Sequence, residues 1–555
     1  MRLSHLFVLA PFALASAAHA ATVIDRANGY TLNSKNELVR FASLAFDDAG
    51  RIISIGSAEQ VAAKAPGARH IDLQGQTVLP GLIDAHGHVF GLGDMLTQLD
   101  LSSTTSLADA LKVTAVYARA NPETAGSAWL RGRGWNQEVW KLGRFPTAAE
   151  LDAVVPGRPV WFERVDGHAG WANSAALKLA GITDTTPDPV GGKIIRDPKG
   201  KATGILVDAA KELVEKVLPP QSEAQARQSL DKALAEIARV GLTTVHDAGI
   251  PIPADALYRD YADHGKLTAR IYAMIGGTEH DFDVLAAKGP LRNYANDMYA
   301  LRAVKLYSDG ALGSRGAALI APYSDEPTSH GLLFKTDAQM RAMMEKAMKK
   351  GYQVNVHAIG DAGNRQILDG YEELVGKTAT SGLRHRIEHA QVVALTDIPR
   401  FRTIGVIPSM QPTHATSDMN MAEQRVGLER IKGAYAWRTF LKQGSRIACG
   451  SDFPVEAPNP FYGIHAAVTR QNAASMPAAG WHKEQAMTLQ EAFKCFTLDA
   501  AFAGHEENQV GSLEVGKYAD FIVIDRDMFT IAPADIRNIG VRQTWVAGKQ
   551  VFLKK

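Results

Sequence analysis

The sequence predicts an α/β fold: a (β/α)8 TIM barrel, with a small composite β-domain from both termini and a subdomain inserted between barrel strands 1 and 2. Three observations carry this reading. From about Gly241, short β-rich runs alternate with longer helical patterns, and such alternation implies parallel βα units. Polar residues cluster where those runs end, as they do at the C-terminal face of a barrel. Both chain ends carry short hairpin-like runs instead, with turn residues between them.

Residues 1–20, "MRLSHLFVLAPFALASAAHA", read as an export signal. Arg2 supplies a charged start, Leu6 to about Ala17 an apolar run, and Ala18-His19-Ala20 a cleavage site. The apolar run falls short of the ~20 residues that a membrane span needs. The mature chain is therefore expected to begin near Ala21 and to reside in the periplasm of a Gram-negative cell. Residues 21–78 and 506–555 form the expected composite β-domain, from "LVRFASLAFDDAGRIISIG" at one end and "GSLEVGKYADFIVIDRD" and "RQTWVAGKQVF" at the other. The barrel domain spans 79–505. Its first strand is expected within "LPGLIDAHGHVFGLGD" (79–94), and seven more at 242–249, 270–277, 301–314, 352–361, 383–391, 404–414 and 445–455. Residues 95–240 are too many for an ordinary connection and are expected to form the inserted subdomain, capping the barrel mouth.

Composition narrows the function classes. The 60 Lys and Arg balance 59 Asp and Glu, and no net charge remains once Arg2 leaves with the signal. With no basic excess and no run of like charge there is no sign of a nucleic-acid partner. The expected partner is a small-molecule substrate, with no membrane contact after signal cleavage, and a homo-oligomer stays open. Cys449 and Cys495 are the only cysteines. Two cysteines make no disulfide framework and neither stands in a C-x-x-C, so both read as small buried apolar residues.

The residues that end the expected strands form the candidate site. His86 and His88 alternate with Ala85 and Gly87, which puts both imidazoles on one face of an extended strand. Lys305 ends the fourth strand, His357 the fifth, His389 the sixth and Asp452 the eighth. His357 shares its face with Asn355 and Gln353, and Asp452 shares one with Gly450 and Ala448. "RHRIEH" is out of phase, since Arg386 and Glu388 fall opposite His389. Singly, each residue has an ordinary reading: a structural histidine, a snorkelling lysine, a turn-forming aspartate. Four histidines and an aspartate at barrel strand ends together point to a metal. Imidazole and carboxylate suit zinc and its neighbours rather than calcium or magnesium. The expected cofactor is a divalent transition metal, zinc before others, one or two per chain.

The ordered motifs "LPGLIDAHGHV", "GHAGWANSAALKLAGI", "GLTTVHDAG", "VKLYSDGALGSRGAAL", "VNVHAIGD", "RIEHAQ", "CGSDFPV" and "GSLEVGKYADFIVID" carry a resemblance. The chain resembles the amidohydrolase superfamily, and within it the YtcJ-like branch that includes N-substituted formamide deformylases. The resemblance covers essentially the whole mature chain and implies a distorted (β/α)8 barrel with a composite β-domain. It implies that His86, His88 and Asp452 hold a first metal and that His357 and His389 hold a second. Lys305 would bridge both as an N6-carboxylated lysine, whose carbamate offers two anionic oxygens where an ammonium would repel.

The resemblance implies a metal-dependent hydrolase of a C–N amide-type bond other than a peptide bond, in the N-acyl or N-formyl amine class. The metal brings the pKa of water to about 7, hydroxide attacks the carbonyl carbon, and Asp452 shuttles the proton to the leaving nitrogen. Substrate-binding candidates are His168 in the inserted subdomain, Asp309 and Arg315 in the Gly-rich loop after strand four, and His414 after strand seven. Each has an alternative reading as a structural brace, and Trp135 and Trp140 read as aromatic core. The same machinery serves esters, lactones, carbamates or ring deamination. A periplasmic metal- or solute-binding module is the rival from another class, and Asp452 argues against it, because such a module needs no proton shuttle.

Overall fold

The computed structural model of the chain describes residues 21–122, 129–189, 191–219 and 221–555; the expected export signal lies outside them. Eight parallel strands follow one another around a barrel: β1 (Leu82–Gly87), β2 (Leu242–Ile250), β3 (Arg270–Gly276), β4 (Tyr299–Tyr307), β5 (Gln353–Ala358), β6 (Arg386–His389), β7 (Ile407–Met410) and β8 (Ala448–Cys449). Each falls on one of the expected runs, and each pairs in parallel with the next. The alternation seen in β5 is realised. Val354 and Val356 pack outward into the main core, whereas Gln353 and Asn355 face the lumen, where Tyr272 Oη donates to Gln353 Oε1 at 3.0 Å.

Among the described residues no ladder joins β8 to β1, so the barrel is nearly rather than fully closed. The chain just beyond β8 closes the gap. Asp452 N donates to His86 O at 2.7 Å, and His88 N donates to Phe453 O at 2.8 Å. Gly450 permits the approach, since a Cβ there would lie 2.5 Å from the His86 nitrogen. Asp84 fastens the same seam: its buried carboxylate accepts from Ser451 Oγ at 2.6 Å and from Ser451 N and His86 N at 3.0 Å. Burial lifts that carboxyl to about 7, against the pull of these hydrogen bonds.

Helix α1 (Val89–Thr97) follows β1 and packs on the helix Glu223–Arg239 that leads into β2. That second helix opens with a capping box between Ser222 and Gln225. It buries Leu230, Ala233, Leu234 and Ile237 in the barrel's core, a stripe at helical spacing. Between the two helices lies a six-stranded sheet of residues 99–100, 130–135, 160–164, 169–172, 202–208 and 192–196, in that spatial order. Trp135, Trp140 and Trp171 form a buried aromatic cluster on one of its faces.

Strands from both chain ends make a second six-stranded sheet: residues 28–32, 38–41 and 77–80 join 521–524, 541–546 and 549–553. A four-stranded sheet of residues 22–25, 43–46, 52–56 and 69–72 shares its core through Ile24, Leu44, Phe46, Phe521 and Trp545. This β-structure is bolted to the barrel by a buried ion pair. Arg270 at the start of β3 donates to both oxygens of Asp520, at 2.7 and 3.1 Å, and its guanidinium lies 4.0 Å from the centre of the Tyr518 ring.

One expectation is overturned. Cys449 and Cys495 are not separate apolar residues but form a disulfide, with Cα atoms 5.2 Å apart. Their separation of 46 residues hides the pairing in the sequence; folding brings the end of β8 against the helix Leu489–Cys495.

Removing one partner of a buried ion pair leaves an uncompensated charge. Asp520→Ala is expected to destabilise the protein by about 3–5 kcal/mol, read in chemical unfolding. The double change Arg270→Met with Asp520→Leu is expected to lose far less, because no charge is then left buried.

Candidate active site

His86 sits at the end of β1 with no exposed surface. Its Nδ1 lies 2.6 Å from Glu388 Oε2. That carboxylate makes Nδ1 the N–H donor and leaves the Nε2 lone pair free for a ligand. Lys305, also buried, places Nζ 3.2 Å from His86 Nε2.

β6 resolves the phase problem of "RHRIEH". Arg386 and Glu388 do face the lumen together, with Arg386 Nη1 3.1 Å from His246 Nδ1 and Nη2 donating to Ala503 O at 2.7 Å. His389 would point away in continued β-structure, but its φ is +75° and that of Ala390 is +43°. The left-handed turn swings the imidazole back over the lumen, where its ring centre is 4.8 Å from that of His86 and 4.6 Å from that of His357. Gln411, just past β7, holds His389 Nδ1 at 2.8 Å. Asp452 likewise reaches the site from a left-handed backbone, at φ +60°.

The side chains of His86, His389 and Asp452 each offer a ligand atom, and these atoms all lie within 4.8 Å of one another. Around them, Asp452 Oδ1 is 3.1 Å from His88 Nε2 and 3.5 Å from His86 Nε2, while Oδ2 is 3.6 Å from His414 Nε2. His357 flanks His389 on the far side. Tyr307 follows Lys305 by two residues on β4 and is 44% exposed. Its ring centre lies 4.6 Å from Lys305 Nζ and 5.5 Å from the His357 ring centre. Glu388, Gln411, Asp84 and Tyr307 belong to this arrangement and were not singled out from sequence. Tyr307 and Asp84 carried a signal, the two-residue spacing of each from Lys305 and His86.

The substrate-binding candidates divide. Asp309 is buried and accepts from Ala318 N and Gly360 N at 2.8 Å and from Ile359 N at 2.9 Å, which braces the loop after β4, and its Oδ1 lies 3.6 Å from His357 Nε2. Arg315 pairs with Asp325 at 3.0 Å and braces the same loop from outside. His414 touches Asp452, as given above. His168 Nδ1 is 2.9 Å from Asp208 Oδ1, a bond made within the inserted subdomain. Burial disfavours charge on His168, but the bond to Asp208 and the charges of Asp166 and Asp208 outweigh it and raise its pKa.

The donor set fits a divalent transition metal. Burial first, and neighbouring positive charge second, drive His86 and His357 well below the usual imidazole range. Burial takes His389 to about 3. All three are neutral at neutral pH, the state in which imidazole binds metal. Burial works against the Asp452 carboxylate, yet the hydrogen bond from His88 and the adjacent histidines hold it at about 2.

The amidohydrolase family model matches residues 69–552. The chain belongs to the amidohydrolase family. The putative amidohydrolase YtcJ of Bacillus subtilis (strain 168) is 33% identical over 515 residues, covering 91% of this chain and 95% of that protein. The N-substituted formamide deformylase of Arthrobacter pascens is 30% identical over 541 residues, covering 95% and 97%. Among solved structures, a metal-dependent hydrolase from Pyrococcus horikoshii OT3 superposes with a TM-score of 0.76 at 27% identity, over 93% of this chain and 99% of that one. Family membership accounts for the barrel, for a strand-end histidine cluster and for a hydrolytic site.

Groups that orient metal ligands typically contribute 10–100-fold to metal affinity. Glu388→Gln and Gln411→Leu are each expected to weaken metal binding by about that factor. Competition with a chromophoric chelator measures it, and retained secondary structure excludes misfolding.

Proposed function

We propose that this protein is an exported metal-dependent hydrolase of C–N amide-type bonds, acting on N-acyl or N-formyl amines. The observation that carries the reading is Asp452: an ionised carboxylate set between His86, His88 and His414 at the mouth of the barrel. His86, His88 and Asp452 would hold one divalent transition metal, and His357 and His389, with an N6-carboxylated Lys305, a second; His389 also lies close enough to His86 and Asp452 to serve the first. Such a metal, when bound, supplies a Lewis acid that brings the pKa of water to about 7.

The residues of the chain do the rest. Asp452 takes a proton from the attacking water as its oxygen bonds to the carbonyl carbon. It then returns that proton to the nitrogen as the C–N bond breaks, giving a carboxylic acid and an amine. Glu388 and Gln411 keep His86 and His389 in the ligand orientation. His168, steadied by Asp208, presents its remaining ring nitrogen toward the mouth as a hydrogen-bond donor to the acyl oxygen. The formamide class is favoured by the deformylase of Arthrobacter pascens, related over nearly the full length of both chains. Export is favoured by the charged and apolar start of the sequence and by the Cys449–Cys495 bridge, since structural disulfides persist in oxidising compartments.

The test is release of amine or acid from a panel of N-formyl and N-acetyl amines. Chelation is expected to abolish turnover and zinc to restore it. Asp452→Asn, with metal content measured on the same sample, is expected to lose 10²–10⁴-fold in kcat, roughly the range of general acid–base catalysis. Lys305→Ala is expected to lose metal and activity together, with partial rescue by a short carboxylic acid. A fully metallated Asp452→Asn as fast as the parent protein would overturn the mechanism.

A further inference from the structure

We propose that a cleft between α1 and the inserted sheet is a carboxylate-binding subsite, so that the substrate is an N-acyl amine bearing a carboxylate some distance from the scissile bond. The inference rests on the hydrolase reading above and names the substrate class it serves. The cleft encloses ≈ 420 Å³ of space, part of it open to solvent, and is walled by Gly91, Asp94, Met95 and Gln98 on one side and by Arg131, Arg133, Trp161 and Glu163 on the other. It abuts the metal-ligand seam: a Cβ built on Gly91 would lie 3.2 Å from Pro454 Cδ and 3.4 Å from His88 Cβ. From Gly91 to Gln98 the helix runs about 10 Å at 1.5 Å per residue. That length sets the reach of a bound substrate from the reacting carbonyl.

The chemistry of the cleft is set by unpaired donors. Parallel pairing places Arg131 beside Trp161 and Arg133 beside Glu163 on one face of the sheet. Arg133 and Lys211 compensate Glu163, at 4.0 and 3.8 Å. Asp94, which also borders the cleft, already accepts from Ser229 Oγ at 2.8 Å and Gln221 Nε2 at 3.0 Å. Arg131 makes no ion pair and no hydrogen bond among the described residues, and its Nε is buried without a partner. The indole N–H of Trp161, 2% exposed, is also without a partner. Leaving a buried donor unsatisfied is unfavourable, a cost that a bound acceptor removes. A guanidinium matches a carboxylate in planar two-point geometry, and the apolar flank of Met95 and Trp161 suits the chain that carries it.

The test uses the metal-loaded enzyme and N-formyl derivatives of ω-amino acids from glycine to 6-aminohexanoate, each paired with the matching terminal carboxamide. At one chain length the carboxylate is expected to be preferred about tenfold or more in kcat/KM, expressed in KM. Arg131→Met is expected to erase that preference while leaving kcat on the carboxamides unchanged, and Arg131→Lys to keep part of it. Equal rates within every pair, or a preference that survives in Arg131→Met, would overturn the subsite. No turnover of any compound would count against the hydrolase reading, and thermal shift with the same compounds then decides the cleft. A carboxylate-dependent upshift lost in Arg131→Met upholds the subsite, and its absence overturns it.

Discussion

Barrel closure and the geometry of the candidate metal site are one interaction in this protein. The two short segments that shut the barrel, 84–88 and 450–453, also carry His86, His88 and Asp452. The backbone bonds between them, Asp452 N to His86 O and His88 N to Phe453 O, set the spacing of those three side chains before any side chain is considered. Asp84 adds a side-chain clamp on Ser451. Because Asp84 alternates with His86 on the strand, the clamp and the first ligand point the same way. The seam cannot slip by one residue without turning the ligands away from the lumen.

A second constraint is the cost of aiming His389. A non-glycine residue in left-handed backbone is unfavourable by about 1–2 kcal/mol, and the chain accepts this at His389, Ala390 and Asp452. Such geometry persists only where surroundings hold it, and here they do. Gln411 fixes the His389 ring, and the seam fixes Asp452. Placing Arg386 and Glu388 in the lumen on the preceding alternate positions is what forces the turn. Those two residues are needed there, since Glu388 orients His86 and Arg386 reaches across to His246 and to the Ala85 and Ala503 carbonyls.

The sequence was most legible where periodicity governs. All eight strands could be located because apolar alternation and flanking turn residues are local signals, and histidines at their ends stand out against that pattern. The out-of-phase "RHRIEH" was legible only as an anomaly. A sign change in φ at a histidine leaves no trace in residue type, unlike one at glycine. Asp84 looked like a strand mate of His86, but its partner Ser451 is 367 residues away. The Cys449–Cys495 bridge was missed for the same reason. Asp309 and Arg315 lie in a Gly-rich loop at the functional end of the barrel, which is also where loops need bracing, and Asp309 serves both places at once: it accepts from three loop amides and lies 3.6 Å from His357 Nε2.

The inserted subdomain was visible only as excess length, yet its placement follows from chemistry nearby. The chain leaves the barrel after α1 and returns through the helix Glu223–Arg239, and Asp94 joins the two by accepting from Gln221 and Ser229. Both ends of the insertion are thus anchored to the helix that begins directly after His88. Displacement of the inserted sheet relative to α1 would be transmitted to the seam through that helix.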